Sequence, residues 1–160
     1  MGTSGGGDRF PVDQLKTLTE RAKDILRSAD QPARRNVFIS FAHEDEAVVN
    51  LLRGQAKRDD SSLEFNDWSV KEPYDSENGD YIRRQIRDRI RQASATVVYL
   101  SRDAATSKWV DWEIRESLAL GKKVICVYQG ERPGRVPPAV TELGLTIVPW
   151  RHETLMDELA

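Results

Sequence analysis

From Val37 onward the chain alternates short apolar runs with stripes of helical spacing, and this alternation is its dominant signal. Val37-Phe-Ile-Ser-Phe41, Thr96-Val-Val-Tyr-Leu100, Lys123-Val-Ile-Cys-Val-Tyr128 and Leu145-Thr-Ile-Val148 are continuous and rich in β-branched or aromatic residues. Such runs predict buried strands. Leu63-Glu-Phe65 predicts a further strand that ends at Asn66-Asp-Trp68. Between the strands, apolar residues recur every three or four positions. Val48, Val49, Leu51, Leu52 and Ala56 mark one helix. Glu44, Asp45 and Glu46 sit in its first turn and Lys57 and Arg58 in its last, as the helix dipole favours. Ile82, Ile86, Ile90 and Ala93 mark a second helix. Thr106 or Ser107 caps a third, which runs to Leu120 and stops before Gly121. Residues 69–79 read as a polar loop, and Gly130 to Gly144 as a Pro/Gly loop with one helical turn near Ala139–Leu143. Glu153 to Leu159 predicts a last helix.

The resulting order, β-α-β-α-β-α-β-loop-β-α, predicts an α/β protein. Right-handed crossovers make it a flavodoxin-like, doubly wound, mostly parallel five-stranded sheet with helices on both faces. Ligands in such sheets sit at the carboxyl ends of the strands. Ser40 to Asp45, Asn66 to Trp68 and Ser101 to Trp109 are thereby expected around one crevice. Ahead of the first strand, Val12, Leu15, Leu18, Ala22, Ile25 and Leu26 predict an extra N-terminal helix from about Pro11 to Ala29. The expected organisation is a Gly-rich disordered tail over residues 1–10, a helix and linker over 11–35, and one domain over 36–160.

Length and charge narrow the picture. One compact domain is the natural reading of 160 residues. Lys and Arg total 24 against 26 Asp and Glu, a balance that argues against a strongly basic nucleic-acid binder. No apolar run approaches the length of a membrane span, and the first residues lack the apolar core of a secretory signal. The lone cysteine, Cys126, excludes an internal disulfide and fits a reducing cytoplasm. Its neighbours Val124, Ile125 and Val127 predict a buried thiol. His43 and His152 are far apart and no ligand spacing recurs, so no metal site is expected. The five arginines between Asp80 and Arg91 read as the solvated face of an amphipathic helix. No glycine-rich phosphate loop is present.

The segment Ser107-Lys-Trp-Val-Asp-Trp-Glu-Ile114 carries the candidate chemistry. Val110, Ile114 and Leu118 form its sheet-facing stripe, and Glu113 flanks that stripe one turn after Trp109. Two readings of Glu113 follow. It is a carboxylate partly desolvated against an indole, an environment suited to catalysis in a cleft. Or it is a surface glutamate paired with Arg115 or Lys108. His43 likewise either contacts a phosphate or ribose, or simply opens a helix with the acids that follow it. A phosphorelay receiver domain shares the element order. It needs an aspartate ending strand three and a lysine-proline element ending strand five, where this chain has Leu100-Ser-Arg and Val148-Pro-Trp150.

Val37-Phe-Ile-Ser-Phe-Ala-His-Glu-Asp45 resembles the first strand and following loop of a TIR (Toll/interleukin-1 receptor) domain. Ser107 to Ile114 resembles the TIR Trp-x-x-x-Glu helix. Glu64-Phe-Asn-Asp-Trp-Ser-Val-Lys71 and the helix of Ile82, Ile86 and Ile90 are similar to a bacterial subgroup, the TIR-like domain of the Thoeris anti-phage system. The resemblance spans about residues 36–150. It implies an NAD+ glycohydrolase or ADP-ribosyl cyclase that makes a nucleotide signal in bacterial anti-phage defence. NAD+ is then a substrate rather than a cofactor. Glu113 is the implied catalytic residue, matched with Trp109 at the head of its motif; Ser40, Phe41, His43, Asp67 and Trp68, expected around the crevice, are with Trp109 the candidate substrate contacts. The resemblance also implies self-association with other TIR-like subunits and a downstream effector reached through the product, with no nucleic-acid or membrane partner.

The competing expectation is a non-catalytic TIR-like signalling adaptor, since fold alone does not fix function. Classical TIR domains carry an Arg-Asp-x-x-Pro-Gly-like element after strand two. Here Asn66-Asp-Trp-Ser-Val-Lys-Glu-Pro73 lacks it, which favours the bacterial subgroup. A nucleotide-sugar or deoxyribosyl transfer enzyme is supported only by the shared sheet. The N-terminal helix lies outside the resemblance, and it either packs on the domain's flank or mediates self-association.

Overall fold

The structure is a computed structural model, and it describes residues 17–23, 35–58, 63–66 and 73–159. The chain divides into two units, Met1–Ala33 and Arg34–Ala160. In the first, helix α1 is described over residues 17–23, within the helix expected from Pro11 to Ala29. The glycine-rich tail, that helix's two ends and residues 30–34 of the expected linker lie outside the described residues.

The second unit runs β1 (Arg35–Ser40), α2 (Glu46–Arg58), β2 (Leu63–Asn66), α3 (Gly79–Gln92), β3 (Ala95–Tyr99) and α4 (Lys108–Ala119). It continues through β4 (Lys123–Tyr128), α5 (Pro138–Glu142), β5 (Thr146–Pro149) and α6 (His152–Leu159). The five strands form one sheet in the order β2-β1-β3-β4-β5. Every pairing is parallel, so the expected mostly parallel sheet is wholly parallel.

A sheet covered on both faces explains the continuous apolar runs. Val37, Ile39, Val97, Ile125 and Val127 face one way and pack with Val49 and Leu52 of α2 and Leu155 and Leu159 of α6. The alternate positions Val98, Val124 and Cys126 face the other way, against Val110 and Ile114 of α4 and Ala139 and Val140 of α5. Phe38 lies in a third apolar cluster with Ile82, Ile86 and Ile90 of α3. Each fully buried side chain of this size contributes about 1.5–3 kcal/mol of transfer free energy.

The ends of α4 are fixed locally. Ser107 Oγ accepts from the Val110 N–H at 3.2 Å, as an N-cap. At the other end Gly121 has φ of +74°, which an L side chain would resist. The Lys122 and Gly121 N–H groups donate to the Ser117 and Leu118 carbonyls at 2.9 and 3.0 Å. This double bond pattern is a Schellman cap.

Several strand boundaries differ from the sequence expectation by a residue or two, and two of the starts have a visible cause. β1 begins at Arg35, because its pairing with β2 starts at Arg35 opposite Leu63, before the apolar run. β5 begins at Thr146 rather than Leu145, because the Leu145 N–H caps α5 by donating to the Val140 carbonyl at 3.0 Å. Short 3-10 turns at His43–Asp45 and Ala104–Thr106 follow β1 and β3.

Candidate functional site

β1 is flanked by β2 on one side and β3 on the other, so successive connections leave it in opposite directions. The carboxyl ends of β1 and β3 therefore bracket the topological switch point, where doubly wound sheets bind ligands. Ser40 ends β1 there, completely buried. Its Oγ has no hydrogen-bond partner among the described residues. Strand alternation turns Ser40 with Phe38 and Ala42 toward the α3, α4 and α5 face. The next residue, Phe41, turns the other way and packs with Tyr99 and Val97 in the α2 and α6 core. His43 is exposed on the 3-10 turn. The adjacent candidates Ser40 and Phe41 thus serve opposite faces. Asp67 and Trp68 lie outside the described residues.

A polar link that sequence reasoning missed spans the switch point. Ser101 Oγ donates to the Asp45 carboxylate, and the Ala104 N–H donates to Ser101 Oγ at 3.0 Å. The Asp45 N–H donates to the Ala42 carbonyl at 2.8 Å, closing its turn. Asp45 is buried, and burial pushes its carboxyl pKa above the ordinary value. The Ser101 hydrogen bond opposes that shift, while Asp103 and Glu44 add to it. Tyr99 beneath is also shifted up, first by burial and then by the Asp45 charge. In the sequence Asp45 looks like any acid at a helix start, and no local pattern marks Ser101 as its partner.

Glu113 is only 3% exposed. That burial does not fit an exposed surface glutamate, and the cations next to it in sequence have other partners. Arg115 bonds Asp111 and Glu142, both at 2.8 Å, and Lys108 bonds Asp75 at 3.1 Å. α4 begins at the carboxyl edge of the sheet, so Trp109 is near that edge and Glu113 one turn below it. Helical side chains lean toward the helix N-terminus, which tilts Glu113 back toward the turn of Trp109. Below Glu113, Ser117 Oγ donates to the Glu113 carbonyl at 2.7 Å and lies 2.8 Å from Thr96 Oγ1 on β3.

Trp109 is buried within an aromatic layer between α3 and α4. Tyr74 meets it edge-on at 5.0 Å and Trp112 at 6.1 Å. The Arg83 guanidinium lies 4.7 Å from the Tyr74 ring centre and 5.8 Å from that of Trp109. Arg87 bonds Glu116 at 2.5 Å and lies 5.9 Å from the Trp112 ring centre. These cation–π and edge-to-face contacts hold the start of α4 against α3. Trp109 is thereby a wall of the region rather than a free stacking face. Among the described residues no cluster of His, Cys, Asp and Glu could hold a metal ion, and no helix is long and apolar enough to cross a membrane.

Residues 38–133 match the family model described as Thoeris protein ThsB, TIR-like domain. The chain belongs to this family. Among solved structures, the TIR domain of the Toll-related receptor TRR-2 from Hydra magnipapillata is 23% identical, with a TM-score of 0.50 over 76% of this chain and 88% of that one. This likeness shows the TIR fold. Clostridium botulinum CMP N-glycosidase BcmB is 14% identical, with a TM-score of 0.49 over 78% of this chain and 98% of its own. The TIR domains of the Roq1 resistosome recognising the effector XopQ are 19% identical, with a TM-score of 0.45 over 78% and 69%. No curated protein matches the chain.

Proposed function

We propose that this Thoeris TIR-like domain cleaves the nicotinamide–ribose bond of NAD+, with Glu113 as its catalytic residue. The observation that carries the reading is the burial of Glu113, a carboxylate one turn after the buried Trp109 in α4. Loss of neutral nicotinamide leaves a ribose with oxocarbenium character. A carboxylate shielded from water stabilises such a cation far more than one in bulk solvent. The same logic serves carboxylates in glycoside hydrolysis. Nicotinamide needs no proton to depart, so one carboxylate suffices for the bond to break. Water then adds to the ribose carbon and releases a proton, giving ADP-ribose, or a ribose-linked nucleophile within the molecule closes a cyclic product.

Ser40 supports the reading independently. A buried hydroxyl left without a partner is uncommon in a folded core. On the same face as α4, Ser40 Oγ is available to bond a ribose hydroxyl or the carboxamide of nicotinamide. Asp45 and Ser101 tie the two loops of the switch point together and so fix the crevice's rim. His43, exposed on that rim, is placed to meet a phosphate.

A non-catalytic interaction module is the second reading, since the fold alone does not fix function. The two separate in one assay. The purified chain is incubated with NAD+, with and without lysate of phage-infected cells, and free nicotinamide is followed chromatographically. The enzyme reading predicts nicotinamide release under at least one condition. No release under any condition leaves the interaction module.

A further inference from the structure

A cavity of about 820 Å³ lies at the carboxyl ends of β3 and β4, and Glu113 is not among its lining residues. Its floor is Tyr99 and Leu100, and its walls are the loop after β3 and the loop after β4. Gly130, with φ of +76°, reverses the chain directly after β4 and brings residues 131–135 over the cavity. Three arginines line it from these two loops: Arg102 from the first, Arg132 and Arg135 from the second.

None of these three makes an ion pair or side-chain hydrogen bond among the described residues, and all three line one cavity. By contrast Arg83, Arg87, Arg91 and Arg115 are each bonded to a carboxylate. The lining carboxylates, Asp103 and Glu131, leave an excess of one positive charge. Guanidinium groups approaching from separate loops are suited to an anion with several oxygens, because each can offer a two-pronged donor. The volume lies in the range of small-molecule sites. Tyr99, Leu100 and Pro133 supply apolar surface for the remainder of such a ligand.

We propose that this cavity binds a diphosphate-bearing ligand, held by Arg102, Arg132 and Arg135, at a site separate from Glu113. The diphosphate is matched to cations arriving from both walls, and the apolar floor accommodates an attached nucleoside. The site meets the switch point at the end of β3 and along the Ser101 loop, where Ser101 bonds Asp45. Occupancy of the cavity is therefore positioned to bear on the loop that borders the catalytic crevice. The inference does not rest on NAD+ cleavage, because its test reads binding and not turnover.

Titration calorimetry of the full chain with ADP and with inorganic pyrophosphate tests it. Saturable binding of at least one is expected, weakening as salt rises. Tighter binding of ADP assigns a nucleotide, and tighter binding of pyrophosphate an inorganic source. Each of Arg102→Ala, Arg132→Ala and Arg135→Ala is expected to weaken binding about tenfold, as for loss of one charge-assisted contact. All three residues are exposed, so unchanged melting is expected. Glu113→Gln and the exposed Arg84→Ala leave affinity unchanged. Absence of saturable binding by either probe overturns the proposal, as does binding that survives the triple arginine variant or is lost with Glu113→Gln.

Discussion

Ser117 Oγ donates to the backbone carbonyl of Glu113, 2.7 Å away in the same helix. The same hydroxyl lies 2.8 Å from Thr96 Oγ1, and both hydroxyl residues are fully buried. Thr96 belongs to β3, so this chain of hydroxyls pins the turn of α4 that carries Glu113 onto the sheet. Ser117→Ala strands the Thr96 hydroxyl in the core, and should cost about 1–3 kcal/mol in urea unfolding. Adding Thr96→Val removes the stranded group. The double variant is therefore expected to lose less than the sum of the single losses. Additive losses would mean that the two hydroxyls do not act as a pair.

Asp45 yields a prediction with an unusual sign. Its carboxyl holds a proton more tightly in the folded state than in the unfolded chain, because burial outweighs the Ser101 hydrogen bond. Below the ordinary carboxylate value both states are protonated and Asp45 contributes nothing to pH dependence. As pH rises through the window between the ordinary and the raised value, only the unfolded chain releases the proton, so stability falls. Asp45→Asn keeps an acceptor for Ser101 without the charge. It should be at least as stable as the parent at neutral pH, and the difference should close near pH 4. A variant clearly less stable at neutral pH would show that the charge is favourable where it sits.

Cys126 sits in the middle of β4, completely buried, and burial pushes its thiol pKa up to about 12. Thiolate is the reactive form, and burial leaves little of it in the native state near pH 8. Labelling by a disulfide reagent should therefore be slow in native buffer and fast in denaturant. Rapid labelling of the native protein would place β4 in frequent local opening.

The sheet was legible because its central strands are covered on both faces, and Val37–Ile39, Thr96–Leu100 and Val124–Val127 show it as unbroken apolar runs. The α4 caps were legible too, since Ser107 and Gly121 act on the backbone beside them. The burial of Glu113 was not. A helix wheel places it on a flank, and only the second layer decides whether that flank meets water. α3 is laid against α4 nearby, through Arg83 over Trp109 and Arg87 on Glu116. The Asp45–Ser101 bond joins residues 56 positions apart and leaves no periodic trace. The arginines of the large cavity lie in loops, where no repeating pattern reports which side chains converge. For Asp67 and Trp68 the expectation stands as the sequence left it, since both lie outside the described residues.

The central claim is that Glu113 carries NAD+ cleavage, and a paired assay of the parent and Glu113→Gln tests it most directly. The substitution preserves shape and hydrogen-bonding reach while removing the negative charge, and matched circular dichroism melts establish that both are folded. Under the condition that gives nicotinamide release, the account predicts a loss of about 100-fold or more in rate. Equal release by the two proteins would contradict it.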